Sequence, residues 1–435
     1  MPMVEPDIEA APWEDQARLD APLYRKQIEY LFERSRFYRG KLERAGYVTH
    51  GAVGGLEAIH ALPFTEKDEL RATRTPEEPI GTHRAAHPDE IARIYSTSGT
   101  TGTPSYIPLT ASDIEVWVRT SARSYAASGI VRGEQIVSTY NAGPFVAGAA
   151  LAVFDRLGLC HIPVGTGNTE RLVATIEALK PTAAVMTPSY ALHLAEWARE
   201  HGRDLARSSV KRVLVAGEPG GGEPAMRAKL EEVWGASVTE AMGIGDISIT
   251  LWGECEAKAG MHFSGRGFVH PELIDPDTGA PKSFEDGAEG ELVLTHLVNR
   301  AAPLLRFRTR DHVRVSAGRC ACGRTAPRVR CIGRTDDMLI VRGVNVFPSA
   351  VREVVSEFAP GVTGVILIRP RTKGVRQELP LPIAVEAAPS ANLGALAEHI
   401  RIRLREKLLM TTEITLVPAG SLPRSEYKSK IVEKA

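Results

Sequence analysis

The sequence predicts an α/β protein in two parts: a large N-terminal domain over residues 1–334, built on parallel strands and helices, and a small α+β C-terminal domain over residues 335–435. Three observations predict it. A chain of 435 residues with 43% hydrophobic and 24% charged residues buries more core than one ordinary domain holds, so two or three domains are expected. Between residues 110 and 250, short apolar runs alternate with stretches long enough for crossover helices, the pattern of parallel strands. From residue 350 the order changes to helix, strand, strand, helix, strand, which reads as a compact unit of its own.

The N-terminus, Met1 to Asp15, is acidic and proline-bearing and lacks the apolar core of a signal peptide. Residues 22–39 place Tyr24, Ile28, Leu31 and Phe32 at helical spacing, which predicts one amphipathic packing helix. Thr65 precedes the acidic, helix-prone run Glu66-Lys67-Asp68-Glu69-Leu70 and is predicted as its N-cap, in a region read as scaffold. An apolar approach, Ile91 to Ile94, then enters Tyr95-Ser96-Thr97-Ser98-Gly99-Thr100-Thr101-Gly102-Thr103-Pro104. Gly99 and Gly102 can take backbone angles closed to other residues. Successive N–H groups can therefore turn toward one anion while neighbouring hydroxyls donate to its remaining oxygens, making a phosphate cradle. The competing reading of such a composition is a solvated linker. No Gly-Lys-Ser/Thr follows, so this is not a Walker-type loop.

Four apolar runs, Ile136 to Tyr140, Leu159 to Val164, Ala183 to Met186 and Val213 to Ala216, predict parallel strands. Ligands in such sheets bind beyond the carboxyl ends of the strands, where three segments lie. They are Tyr140 to Gly148, Ala216 to Gly220 and Glu240 to Asp246. The first, with Tyr140 and Phe145, reads either as one wall of an acid pocket or as a helix start rich in glycine and alanine. Residues 255–331 hold four of the five cysteines. An odd count in a long chain argues against a disulfide framework. The polar, glycine-flanked setting of Cys320 and Cys322 is poor for burial, and thiolates with an imidazole favour tetrahedral zinc. A helix from Ser349, strands at Val362 to Ile368 and Leu381 to Glu386, a helix from Asn392 to Lys407 and a strand at Ile414 to Val417 complete the chain. Lys plus Arg equals Asp plus Glu at 53 each, so no global charge draws the protein to nucleic acid or an anionic membrane. Small-molecule partners are expected instead. No stretch approaches eighteen uninterrupted apolar residues, which predicts a soluble, cytoplasmic protein without membrane contact.

The order Ser-Gly-Thr-Thr-Gly-x-Pro resembles the triphosphate loop of the acyl-adenylate-forming enzymes. Within that superfamily the chain most resembles the phenylacetate-CoA ligase branch, from about residue 22 to the C-terminus. Ser35-Arg36-Phe37-Tyr38-Arg39 and Leu62 to Leu70 resemble that branch's entry region. Leu305-Arg306-Phe307-Arg308-Thr309-Arg310-Asp311, Ile332 to Pro348 and Leu422 to Lys430 resemble its later segments. The resemblance implies an adenylating N-terminal domain and a mobile C-terminal one. It also implies AMP-forming ligation, in which an acid attacks MgATP to give an acyl-adenylate that a CoA thiol then captures.

Residue by residue, the resemblance places Ser98, Gly99, Thr100, Thr101 and Gly102 at the phosphates and Gly217, Glu218 and Pro219 at adenine. Met242 and Gly243 fall by the nucleotide, and Gly245 by the acid. Asp311 would accept the ribose hydroxyls, with Arg334 at the ribose or a phosphate. Asp246 would serve Mg²⁺, Asp336 would be the hinge, and Lys428 would reach the carboxylate and the α-phosphate. Relatives with a similar Glu-Cys-x-x-x-x-Gly-x-His segment make Cys255, His262, Cys320 and Cys322 the preferred zinc quartet, with Cys331 in place of His262, or no metal, as alternatives. A homodimer is the family-level expectation.

Three positions depart from the pattern: Met242 replaces an aromatic, Asp246 a Glu, and Thr103 a Lys, so weaker ATP handling is expected. The acid is read as aromatic or arylacetic, or as short, branched or hydroxylated. An adenylating ligase that loads a carrier-protein thiol or an amine is one alternative. A non-catalytic acyl-nucleotide-binding regulator is another.

Overall fold

The computed structural model describes residues 2–96, 105–140, 146–165, 168–335, 338–341, 344–372, 376–389, 391, 393–408, 410–423 and 431–433. Two compact units account for the chain. The first comprises residues 1–165, 239–309 and 314–330, and the second residues 166–238, 310–313 and 331–435.

In the first unit, two helices, Gln16–Arg34 and Arg36–Arg44, replace the single helix expected over 22–39. Ser35 breaks the run: its backbone is extended, and its hydroxyl accepts from the Tyr38 N–H at 3.4 Å to cap the second helix. A serine offers the backbone this local alternative to continuing a helix. The apolar face is as expected, since Tyr24, Ile28, Leu31 and Phe32 join Tyr38 and Leu42 in one buried cluster. The N-cap expected at Thr65 falls one residue later. Glu66 caps the helix Lys67–Arg71 in a reciprocal box with Glu69. Thr65 is instead fully buried, its hydroxyl donating to the Leu305 carbonyl at 2.6 Å.

The strands Ile91–Ser96 and Tyr106–Thr110 form an antiparallel hairpin whose last described pair is Ser96 opposite Tyr106. The phosphate-cradle residues Ser98, Gly99, Thr100, Thr101 and Gly102, with Thr103, lie outside the described residues. Thr110 caps the helix Ala111–Ala127, which packs on the strand Ser248–Glu254. That approach is close: a Cβ at Gly253 would sit 2.6 Å from Ser124 Cα. The strands Gln135–Ser138 and Cys160–Pro163 are parallel, as expected, across the helix Ala150–Leu157. Beyond Ser248 the pairing turns antiparallel, Met261–Phe263 joining Ser248–Glu254 and Val269–Ile274 joining Glu289–His296.

In the second unit, Ala183–Met186 and Arg212–Ala216 are parallel, again as expected, and linked by the helix Pro188–Glu200. Thr187 caps that helix, and Pro188 starts it. Toward the C-terminus, Val362–Ile368 pairs antiparallel with Leu381–Ala387, which pairs parallel with Thr412–Val417. Helices Pro348–Ser356 and Leu393–Leu408 bring Val351, Val355, Ile400 and Leu404 into the core of that sheet. Among the described residues no helix is long and apolar enough to cross a membrane.

Candidate active site and metal centre

The strand Ser237–Ile244 pairs with Ser248–Glu254 through a bulge at Gly243 that glycine alone permits, and a short turn over residues 245–247 follows. A Cβ at Gly243 would fall 1.6 Å from the Ile249 carbonyl oxygen, and the register with the next strand shifts between Met242 and Ile244. Met242 itself lies opposite Trp252. Within that turn, with Gly245 beside it, Asp246 places Oδ2 2.6 Å from Lys67 Nζ. The Glu66 cap fixes Lys67 at the start of its helix, so a segment read as scaffold delivers a cation to the expected magnesium ligand.

Three more basic side chains feel the Asp246 charge. Arg74 sits over the Tyr106 ring, 5.9 Å from its centroid, and burial, then Arg71, lowers its pKa against the pull of Asp246. Burial holds His83 and His296 at about 4, so both are neutral at physiological pH. His296 Nδ1 accepts from the Leu304 N–H at 3.0 Å, which leaves Nε2–H to donate to the Ile247 carbonyl at 3.3 Å. The Asp246 carboxylate supplies one hard oxygen of the kind Mg²⁺ takes, and Mg²⁺ is bound through one or two carboxylates with waters and phosphates completing its shell. Tyr140 follows the strand Gln135–Ser138, and desolvation pushes its phenol well up, so it stays a neutral hydroxyl. Phe145 lies outside the described residues.

In the second unit, Asp311 Oδ1 and Arg334 Nη1 stand 3.3 Å apart. The Thr335 N–H donates to the Arg310 carbonyl at 2.7 Å and ties the two strand segments together there. Arg334 thus orients the carboxylate. Gly217 has φ 95°, closed to most residues, and follows the strand Arg212–Ala216. Glu218 Oε1 accepts from the Ser189 N–H at 2.7 Å, at the start of the helix Pro188–Glu200, a carboxylate at a helix N-terminus. The Pro219 carbonyl accepts from Arg352 Nη2 at 2.8 Å, and Arg352 also pairs with Glu223 at 2.8 Å. Asp336 and Lys428 lie outside the described residues.

The four residues of the zinc quartet come together. Cys255 follows the strand Ser248–Glu254, His262 lies in Met261–Phe263, and Cys320 and Cys322 occupy the turn before Arg328–Arg334. Their ligand atoms all lie within 4.8 Å of one another, and all four residues are buried. Cys255 Sγ is 3.5 Å from Cys320 Sγ, and Cys322 Sγ is 3.3 Å from His262 Nε2. A hydrogen bond from the Cys255 thiol, then the contact with His262, holds Cys322 well below the usual thiol range, while Cys255 is pushed up in turn. Cys331 is not among the four; it is half-buried, with Sγ 3.8 Å from the Gly333 carbonyl. Three sulfurs and one imidazole nitrogen make a closed, fully protein-ligated set that fits zinc. An ionic strap holds the turn from outside, Arg324 pairing with Glu9 at 2.8 Å.

Lys67, Arg74 and Arg352 were not found from the sequence. Lys67 stands in the Leu62 to Leu70 run, but its carboxylate partner is 179 residues away.

Residues 45–296 match the model of the AMP-binding enzyme family, and residues 343–434 that of the AMP-binding enzyme C-terminal domain. The chain is 35% identical to a phenylacetate-coenzyme A ligase of Thermus thermophilus, over 98% of this chain and 97% of the relative. To the Escherichia coli phenylacetate-coenzyme A ligase it is 30% identical, over 97% and 95%. Its fold is similar to 2-hydroxyisobutyryl-CoA ligase in a postadenylation state with 2-HIB-AMP. The TM-score is 0.90 at 26% identity, over 100% of this chain and 94% of the other. Against the same ligase in its thioesterification state with CoA the TM-score is 0.73.

Proposed function

The chain belongs to the phenylacetate-CoA ligase branch of the AMP-binding enzymes, and on that premise we propose how its own residues run an AMP-forming acid:CoA ligase reaction. ATP, CoA and a small organic acid are the reactants. In the first step an acid oxygen attacks the α-phosphorus of ATP and pyrophosphate leaves. In the second a CoA sulfur attacks the acyl carbonyl and AMP leaves. Neither step needs a protein nucleophile, so the side chains position the reactants and offset charge.

The observation that carries this reading is the glycine-dependent bulge and the turn after it, which present the Asp246 carboxylate beside Lys67. Asp246 would hold Mg²⁺, which when bound neutralises phosphate charge. Asp311, oriented by Arg334, accepts the ribose hydroxyls, and the backbone of Gly217, Glu218 and Pro219 meets adenine. The loop residues Ser98 to Gly102 take the phosphates, Asp336 is the hinge, and Lys428 meets the reacting carboxylate. Tyr140, Phe145 and Gly245 form the wall at the acid. A structural zinc held by Cys255, His262, Cys320 and Cys322 fixes the turn that carries two of its ligands.

The acid we infer is aromatic or arylacetic, supported by identity that is higher to the phenylacetate ligases than to the hydroxy-acid ligase. The 0.90 TM-score supports a short hydroxylated acid as the second reading. A panel of acids with ATP, Mg²⁺ and CoA, read as thioester, tests both. An arylacetyl-CoA product supports the first, and turnover confined to short hydroxy acids replaces it with the second. The homodimer remains a family-level proposal, and light scattering that gives a monomer mass would remove it.

A further inference from the structure

Arg352 has no part in the reaction as described, yet it reaches the segment assigned to adenine. It stands on the helix Pro348–Ser356, whose Val351 and Val355 enter the core of the C-terminal sheet. By sequence it belongs to the C-terminal family match, residues 343–434, while Pro219 and Glu223 belong to the other, residues 45–296. All three fall in one compact unit. Arg352 Nη2 donates to the Pro219 carbonyl and to Glu223 Oε1, both at 2.8 Å. The approach is close, since a Cβ at Gly220, whose φ is 136°, would lie 2.9 Å from the same nitrogen.

The Arg352 side chain is 8% exposed and that of Glu223 13%, so the pair stands largely out of water, where removing one partner strands the other's charge. Glu223 occupies the N-cap position of the helix Pro224–Trp234 but makes no capping bond with its side chain. Its carboxylate goes to Arg352 instead. The backbone of residues 217–219 is thereby fixed at two points. Glu218 Oε1 accepts from the Ser189 N–H at 2.7 Å, and the Pro219 carbonyl accepts from a side chain of the C-terminal family match. Six residues beyond Glu223, Lys229 Nζ donates to the Thr363 carbonyl at 2.9 Å, a second bond from the same helix to the strand Val362–Ile368.

We propose that Arg352 is a positioning residue for the nucleotide: by holding the Pro219 carbonyl it couples adenine binding at residues 217–219 to docking of the helix Pro348–Ser356. This rests on the adenylation reading above, in which that backbone meets adenine. The coupling runs both ways, because a ligand that binds better with the helix docked must also strengthen the docking. Arg352 leaves Pro219 whenever that helix undocks, and the adenine seat then loses one of its two fixed points.

Calorimetric titration of the full chain with AMP, and hydrogen exchange of the helix Pro348–Ser356 with and without AMP, test it. In the parent protein AMP is expected to slow exchange in that helix. Arg352→Met should weaken AMP binding about tenfold or more, within the range of coupling between linked sites, and remove most of the slowing. Arg352→Lys keeps a cation that can donate to the Pro219 carbonyl without the guanidinium fork, and should restore part of both. Lys229→Met removes the other bond from the same helix and should leave AMP affinity near that of the parent. A merely structural role for Arg352 would make the two methionine variants alike. Where Arg352→Met fails to fold, Glu223→Gln carries the test, with weaker AMP binding expected because Arg352 loses the carboxylate that aims it. A folded Arg352 variant that binds AMP as the parent does, or that loses no more affinity than Lys229→Met, overturns the proposal. Acid-driven exchange of labelled pyrophosphate into ATP by the parent protein reports on adenylation separately. Exchange present with variant affinity unchanged refutes only the coupling, and exchange absent refutes the adenylation reading.

Discussion

Asp246 stands where the resemblance expects a glutamate, one methylene longer. Asp246→Asn is expected to weaken MgATP affinity and slow adenylation, while Asp246→Glu retains more activity. An unchanged rate and metal requirement in the Asn variant would remove Asp246 from the site. Gly243→Ala tests the bulge that precedes the turn. With a Cβ 1.6 Å from a backbone oxygen, the paired strands must move apart, and a loss of several kcal/mol in stability is expected from chemical denaturation. A near-parental midpoint would mean that the bulge tolerates a side chain. At this scale Asp246, Asp311 and Arg334 were reached through the resemblance of short contiguous motifs, and the structure brings Asp311 and Arg334 within 3.3 Å. Lys67 was invisible because an ion pair across 179 residues leaves no local pattern.

The elements around the cysteines make the next set of predictions. If the four buried ligands hold zinc, replacing Cys320 and Cys322 with Ser should release about one equivalent of metal per chain and lower the thermal midpoint, because metal-binding energy is folding energy. Metal analysis of the untreated protein that finds no zinc would end this assignment. The N-terminal segment that straps the same region has a pH signature. Burial pushes the Glu5 carboxyl up, but Arg123 and Arg119 outweigh it, so its pKa is lowered from 4.5. The sign follows: the stabilisation is complete above the unfolded glutamate value and is lost as pH falls below about 4.5 toward the folded value. Glu5→Gln should therefore lower the midpoint near neutral pH and flatten its fall in acid. A variant whose acid profile runs parallel to the parent's would contradict this. Parallel strands such as Ala183–Met186 were legible because short apolar runs between helical stretches have few alternatives. The antiparallel strands beyond Ser248 were not placed, since their pairing depends on partners rather than on local pattern. The break at Ser35 was missed because one hydroxyl, not hydrophobic periodicity, decides it.

Across the whole molecule, the proposed mechanism has the two steps call on different groups. Lys428 is assigned to adenylation alone, where an ammonium near the carboxylate and α-phosphate offsets charge that repels the attacking oxygen. Lys428→Ala should cost on the order of 10²-fold or more in adenylate formation, the scale of one well-placed electrostatic group. Given presynthesised acyl-adenylate and CoA, it should make thioester at nearly the normal rate. Equal slowing of both steps would pass the role to Lys430 or another group. Both steps presuppose the acyl-adenylate, and the most direct measurement of that intermediate is exchange of labelled pyrophosphate into ATP with Mg²⁺ and an added acid, in the absence of CoA. The account predicts that label enters ATP only when a suitable acid is present. Folded protein that makes CoA thioester without any acid-dependent exchange, or that releases ADP and phosphate in place of AMP and pyrophosphate, would contradict it.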